Sequence, residues 1–139
     1  DRAGGVVGLA ETHTNIFASV GVHPDEQHGH DPSEDELLRF ADHPRVVAIG
    51  ETGLDYYQME ERKGGRSVAD LEWQRNRFRT HIRAAIKTRK PLIIHTRSAA
   101  EDTLKIMREE NAADIGGVLI SPLSTIRLLP FTRGRLCQN

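Results

Sequence analysis

Val46-Val47-Ala48-Ile49-Gly50-Glu51-Thr52-Gly53-Leu54-Asp55-Tyr56-Tyr57 is the stretch on which the reading of this chain turns. Val46–Ile49 is a short apolar run rich in β-branched residues, as expected of a buried strand. It runs straight into a glycine-flanked carboxylate, Glu51, which predicts a charged group at the carboxyl end of a strand. In parallel α/β folds, active sites gather at those ends. Lys90-Pro91-Leu92-Ile93-Ile94 repeats the pattern and ends in His95-Thr96-Arg97. A carboxylate and an imidazole at two such ends are natural ligands for a divalent ion.

Working outward, Phe17–Val22 reads as a strand stopped by His23-Pro24, and Asp25–Asp31 as a polar loop. Ser33 and Glu36 form a capping box for a helix whose apolar side is Leu37, Leu38, Phe40 and Ala41 and which Pro44 ends. Glu60–Arg66 reads as a charged, glycine-broken loop. Val68–Arg89 is the longest helical candidate, with Leu71, Phe78, Ile82, Ala85 and Ile86 on one side. Ala99–Glu110 predicts another helix, Asn111–Gly117 a turn, and Gly117–Ile120 a fourth strand. Strand and helix alternate throughout, so the expectation is an α/β fold with a parallel sheet and right-handed crossovers. Four strands amount to part of a (β/α)8 barrel, which takes about 250 residues. From Ser121 to Pro130 no period is clear, and Phe131–Asn139 is short and basic.

Bulk properties narrow the partners. The 139 residues are 37% apolar and 28% charged, with a net charge of −1. That suits a soluble globular domain and gives no global attraction for nucleic acid or membrane; any phosphate-binding surface is local. The single cysteine, Cys137, excludes a disulfide framework and a cysteine-rich zinc site within the chain. It fits a cytoplasmic setting. No apolar run approaches the roughly 18 residues of a membrane span. Asp1 reads as a cut or processed end.

Each candidate has a chemical and a plainer reading. Glu51 is a metal-bridging carboxylate or the cap of the turn after it. His95 is a metal ligand or a structural histidine. Arg97 binds a phosphate oxygen bidentately or pairs with Glu101. His23 lines the same mouth or, more simply, belongs to the stiff turn made by Pro24. Asp55 orients a ligand or a water from behind. His13, His28, His30, His43 and His81 read as surface or packing residues. Arg75, Arg79, Arg83 and Lys87 recur every fourth residue, and a solvated helix face is the better reading.

Taken together, Ala18–Pro24, Val47–Tyr56, Gln74, Phe78, His81, Lys90–Ala99, Glu101–Leu104 and Gly116–Leu119 resemble the TatD family of metal-dependent deoxyribonucleases, which have an amidohydrolase-like (β/α)8 barrel. The resemblance covers about residues 16–119, within a hydrolase domain placed at 1–119, with 120–139 as an atypical tail. It implies that Glu51 bridges two divalent ions (Mg, Mn or Zn) and that His95 ligates one of them. It further implies hydrolysis of DNA, 3′-to-5′ or into short fragments, by an activated water. The chain departs from the family pattern in lacking a His-x-His strand within Asp1–Asn15 and in carrying Asp25 where the second histidine of His-Pro-His stands. Ile120 replaces a family histidine after Gly-Val-Leu, and a late aspartate ligand is missing. The expectation is the central piece of such a barrel with weak or no catalysis alone. An aminoacyl-tRNA deacylase-like ester hydrolase and a catalytically inactive fragment are the alternatives.

Overall fold

A computed structural model describes residues 2–57, 67–121 and 124–129. The loop expected over 60–66 and the basic segment 131–139 lie outside the described residues. Helix α1 (Arg2–Thr12) leads to β1 (Ala18–Val20), α2 (Glu34–Ala41) and β2 (Val46–Asp55). A 3-10 turn (Val68–Leu71) opens α3 (Glu72–Thr88), followed by β3 (Leu92–Arg97), α4 (Ala100–Glu109) and a 3-10 turn at Ala112–Asp114. The chain then forms β4 (Gly117–Ser121) and β5 (Ser124–Leu129). The sheet order is β1-β2-β3-β4-β5. The first four strands are parallel, as the β/α alternation requires, and β5 returns antiparallel to β4.

Ile49, Leu54, Phe78, Ile82, Leu92, Ile94 and Ile106 make the centre of the core, at 0–1% exposure. They are the apolar positions of β2, α3, β3 and α4, so α3 and α4 seal one side of the sheet. The capping box of α2 forms as expected: the Ser33 amide donates to Glu36 Oε2 at 2.8 Å and the Glu36 amide donates to Ser33 Oγ at 3.2 Å. The Ser33 amide, with help from His30 and the Ser33 hydroxyl, holds the Glu36 carboxyl down to about 2.

Four elements differ from the sequence expectation. β1 is shorter, because the Val22 amide leaves the ladder to donate to His81 Nε2 at 3.0 Å. β2 runs six residues further, through Gly50–Asp55, so Glu51 lies inside the strand. The unassigned N-terminal residues form α1, whose Ala10 is fully buried. Residues 124–129, which show no clear period, pair with β4 from Gly117↔Leu129 to Ser121↔Ser124. The basic stripe on α3 is also less solvated than expected. Arg75 is mostly covered and donates to Glu72, to the Tyr56 hydroxyl and to the carbonyls of Val68 and Ala69.

Two glycines set how closely β2 approaches β3. Gly50 and Gly53 have φ of +148° and +131°, a region that side chains strongly disfavour. A Cβ on Gly53 would stand 2.0 Å from the His95 carbonyl oxygen, and one on Gly50 2.5 Å from that of Ile93. Gly53→Ala should therefore cost about 3 kcal/mol of stability, read as a lowered urea midpoint; an unchanged midpoint would refute this strand packing.

His81 is fully buried. It accepts the Val22 amide at Nε2, and its Nδ1 donates to the Arg77 carbonyl at 2.8 Å. Burial pushes its pKa from 6.5 down to about 4. The unfolded chain therefore binds the extra proton first, and the stability contributed by neutral His81 is complete above pH 6.5. It is lost as pH falls from about 6.5 toward 4, by up to about 3 kcal/mol. Urea unfolding across that window should show a steeper loss for the wild type than for His81→Gln; parallel profiles would contradict this.

Candidate metal centre

Gly50 pairs with Ile93 and Thr52 with Ile94, so the register slips by one residue at Glu51. Such a bulge re-aims a side chain. Here the slip sits between the two close-approach glycines, and Glu51 faces the end of β3. Its Oε1 lies 3.1 Å from His95 Nδ1 and 3.8 Å from His23 Nε2. His23 Nε2 is 3.2 Å from His95 Nδ1, with the two rings edge to face at 4.5 Å between centroids. One donor atom from each of the three residues lies within 4.8 Å of the others. Sequence reasoning pointed to Glu51 and His95 and left His23 between lining this mouth and the turn made by Pro24; the fold brings His23, from the end of β1, to the same place.

Asp55 stands behind this trio. It is 2% exposed, and its Oδ2 accepts from His95 Nε2 at 3.1 Å. A carboxylate on one ring nitrogen fixes the tautomer and leaves the other nitrogen with its lone pair. His95 Nδ1 and Glu51 Oε1 are then two electron-pair donors 3.1 Å apart, an arrangement that needs a cation or a proton between them. The donor set fits a divalent ion. Ligands about 2.0–2.2 Å from a zinc-sized ion stand roughly 3.0–3.6 Å from one another, close to the spacings here.

His23 differs from His95 in one respect. Its Nδ1 accepts the Asp25 amide at 3.1 Å, so in the neutral ring the proton is on Nε2 and is directed at His95. Burial and the neighbouring His95 push the His23 pKa below its ordinary value, against the pull of Glu51, Asp25 and Asp55. The ring is thus neutral at pH 7. The site opens on a cleft of about 860 Å³ lined by His23, Glu51, Glu26, His28, Glu36 and Phe40 among others.

Polar residues on the core side of α3 hold this mouth, and the sequence reading gave them no such role. Gln74, fully buried, accepts the Asp55 amide at 2.9 Å and donates to the Pro24 carbonyl at 2.9 Å. Arg77 donates to the carbonyls of His23 and Glu26 at 2.9 and 2.8 Å and pairs with Asp31. The signal was available in Gln74 and His81, two polar residues seven apart within the apolar stripe of Phe78 and Ile82. Buried polar groups at such places are there to satisfy something.

Arg97 and Asp55 pair across the β2–β3 ladder. The Arg97 guanidinium lies over the Tyr57 ring, with Cζ 3.5 Å from the centroid. Tyr56 donates to Asp102 Oδ2 at 2.7 Å and receives Arg75, and burial raises its phenol to about 12, so it stays protonated. Ile120 pairs with His95 across β3–β4 and supplies no donor beside it.

Comparison with protein families matches residues 3–121 to the family described as TatD related DNase. A protein of Buchnera aphidicola named as a metal-dependent hydrolase is 41% identical over 120 residues, covering 81% of this chain and 42% of that protein. A human protein named as a 3′-5′ RNA nuclease is 33% identical over 95 residues, covering 68% of this chain and 12% of its own length. In structure, a TatD homologue from Escherichia coli K12 superposes with a TM-score of 0.68 at 23% identity, over 86% of this chain and 44% of that one, which bears on the fold. The chain thus spans less than half the length of these relatives. No helix among the described residues is long and apolar enough to cross a membrane. With the family match running across nearly all of the described residues, the chain belongs to the TatD family of metal-dependent hydrolases.

Proposed function

We propose that this chain carries the Glu51–His95 part of a divalent-metal centre that hydrolyses phosphodiester bonds of nucleic acid, with DNA ends as the substrate. One observation carries the reading: Asp55 holds His95 so that its Nδ1 lone pair meets Glu51 Oε1 at 3.1 Å. When bound, a divalent ion supplies Lewis acidity and a water that is nucleophilic at neutral pH. Glu51 and His95 would hold it, and the second carboxylate oxygen of Glu51 would be available to a further ion. Asp55 keeps the His95 proton on Nε2. His23 Nε2 is a weaker third contact, because the Asp25 amide favours a proton there. Arg97, held over the Tyr57 ring, offers its guanidinium N–H groups to a phosphate oxygen.

The experiment is Mn²⁺ titration calorimetry on the chain, together with cleavage of a 5′-labelled single-stranded DNA under protein excess. Mn²⁺ should bind, the strand should shorten from its 3′ end, and chelator should stop it. Mn²⁺ binding with no cleavage would overturn the phosphodiesterase reading. Glu51→Gln and His95→Ala should each weaken Mn²⁺ by about 100-fold or more and abolish cleavage. Asp55→Asn and His23→Ala should each weaken it about tenfold, the size typical of partners behind a ligand. Equal losses across the four variants would refute the ranking. A second reading, RNA in place of DNA, is favoured by the human relative's name. Matched DNA and RNA strands of one sequence decide between the two.

A further inference from the structure

Tyr57 has so far figured only as the ring beneath Arg97. It follows Asp55 by two residues, and its backbone amide donates to Asp55 Oδ1 at 3.0 Å. The carboxylate that orients His95 therefore also pins the base of the Tyr57 side chain. Arg97 follows His95 by two residues on β3, so the two side chains leave the same face of the strand, about 6.6 Å apart along it. The Arg97 guanidinium carbon lies over the Tyr57 ring, 3.5 Å from its centroid, and Tyr57 is 36% exposed. A cation held over an aromatic ring, part open to solvent and one strand step from a metal-type donor set, is the composition that single-stranded nucleic acid binds. Bases stack on aromatic and guanidinium planes whatever their identity, while the charge tracks the phosphates.

We propose that the Arg97–Tyr57 stack is a base platform, taking the nucleobase next to the phosphodiester held at Glu51 and His95. This rests on the phosphodiesterase reading and adds to it a base-dependent but sequence-indifferent subsite. The division of labour follows from geometry. The guanidinium N–H groups meet a phosphate oxygen, and the exposed part of Tyr57 meets the base. A plain phosphodiester without bases would use only the first of these.

The test is fluorescence anisotropy with a labelled thymidine tetranucleotide and its abasic tetramer, both in Ca²⁺. The wild-type chain should bind the base-bearing strand about tenfold more tightly than the abasic one. Tyr57→Ala should remove that difference while leaving Mn²⁺ affinity unchanged, and Tyr57→Phe should restore it. Circular dichroism confirms that the variants fold. Equal binding of both strands by the wild type overturns the platform and leaves the phosphodiesterase reading standing. A base preference that survives Tyr57→Ala also overturns it. If neither strand binds although Mn²⁺ does, both readings fall.

Discussion

The slip of one residue between Gly50 and Thr52 is the constraint on which the site depends. A regular β2–β3 ladder would give Glu51 a ladder partner and shift every residue after it by one place, turning Asp55 and its neighbours to the other face. With the slip, Gly53 pairs with His95 and Asp55 with Arg97. That register sets Asp55 against His95 Nε2 and Glu51 against His95 Nδ1. The two flanking glycines permit it, since their φ values and the carbonyls of Ile93 and His95 leave no space for a side chain. The Gly-Glu-Thr-Gly sequence is therefore a backbone device as much as a chemical one.

A second layer holds the mouth in place from below. Gln74, Arg77 and His81 project from α3 into the core and spend their hydrogen bonds on the backbone of residues 22–26 and on the Asp55 amide. None of the three is a metal ligand. Each is buried among Phe78 and Ile82, where an unpaired polar group would be costly. Their partners fix the turn carrying His23 relative to the strand carrying Glu51. The approach of β1 and β2 at their carboxyl ends is thus set by side chains on a helix packed against the sheet.

Much of this was legible in the residues. Val46–Ile49 and Leu92–Ile94 announced parallel strands, Ser33 and Glu36 the start of α2, and Glu51 and His95 are the two strand residues that the fold brings to 3.1 Å. The missing parts have physical reasons. α1 contains Gly4, Gly5 and Gly8, which are poor helix formers, and its Ala10 packs into the core, a contact that local propensity does not report. β5 is recruited by an unpaired β4 edge, which no local period reports. Gly50–Asp55 looks like a strand end because its glycines suit a turn equally well, and only the facing carbonyls of β3 show why they are there. The His23–His95 contact joins residues 72 apart and is a product of the assembled sheet.

The central claim is that Glu51 Oε1 and His95 Nδ1 converge on a divalent cation. Anomalous diffraction from a crystal of this chain grown with Mn²⁺ tests it most directly. The account predicts a manganese peak about 2.0–2.4 Å from both atoms, with Asp55 still bonded to His95 Nε2. Either of two results would contradict it: a peak confined to other carboxylates, or no peak at the site with His23 Nε2 still directed at His95 Nδ1.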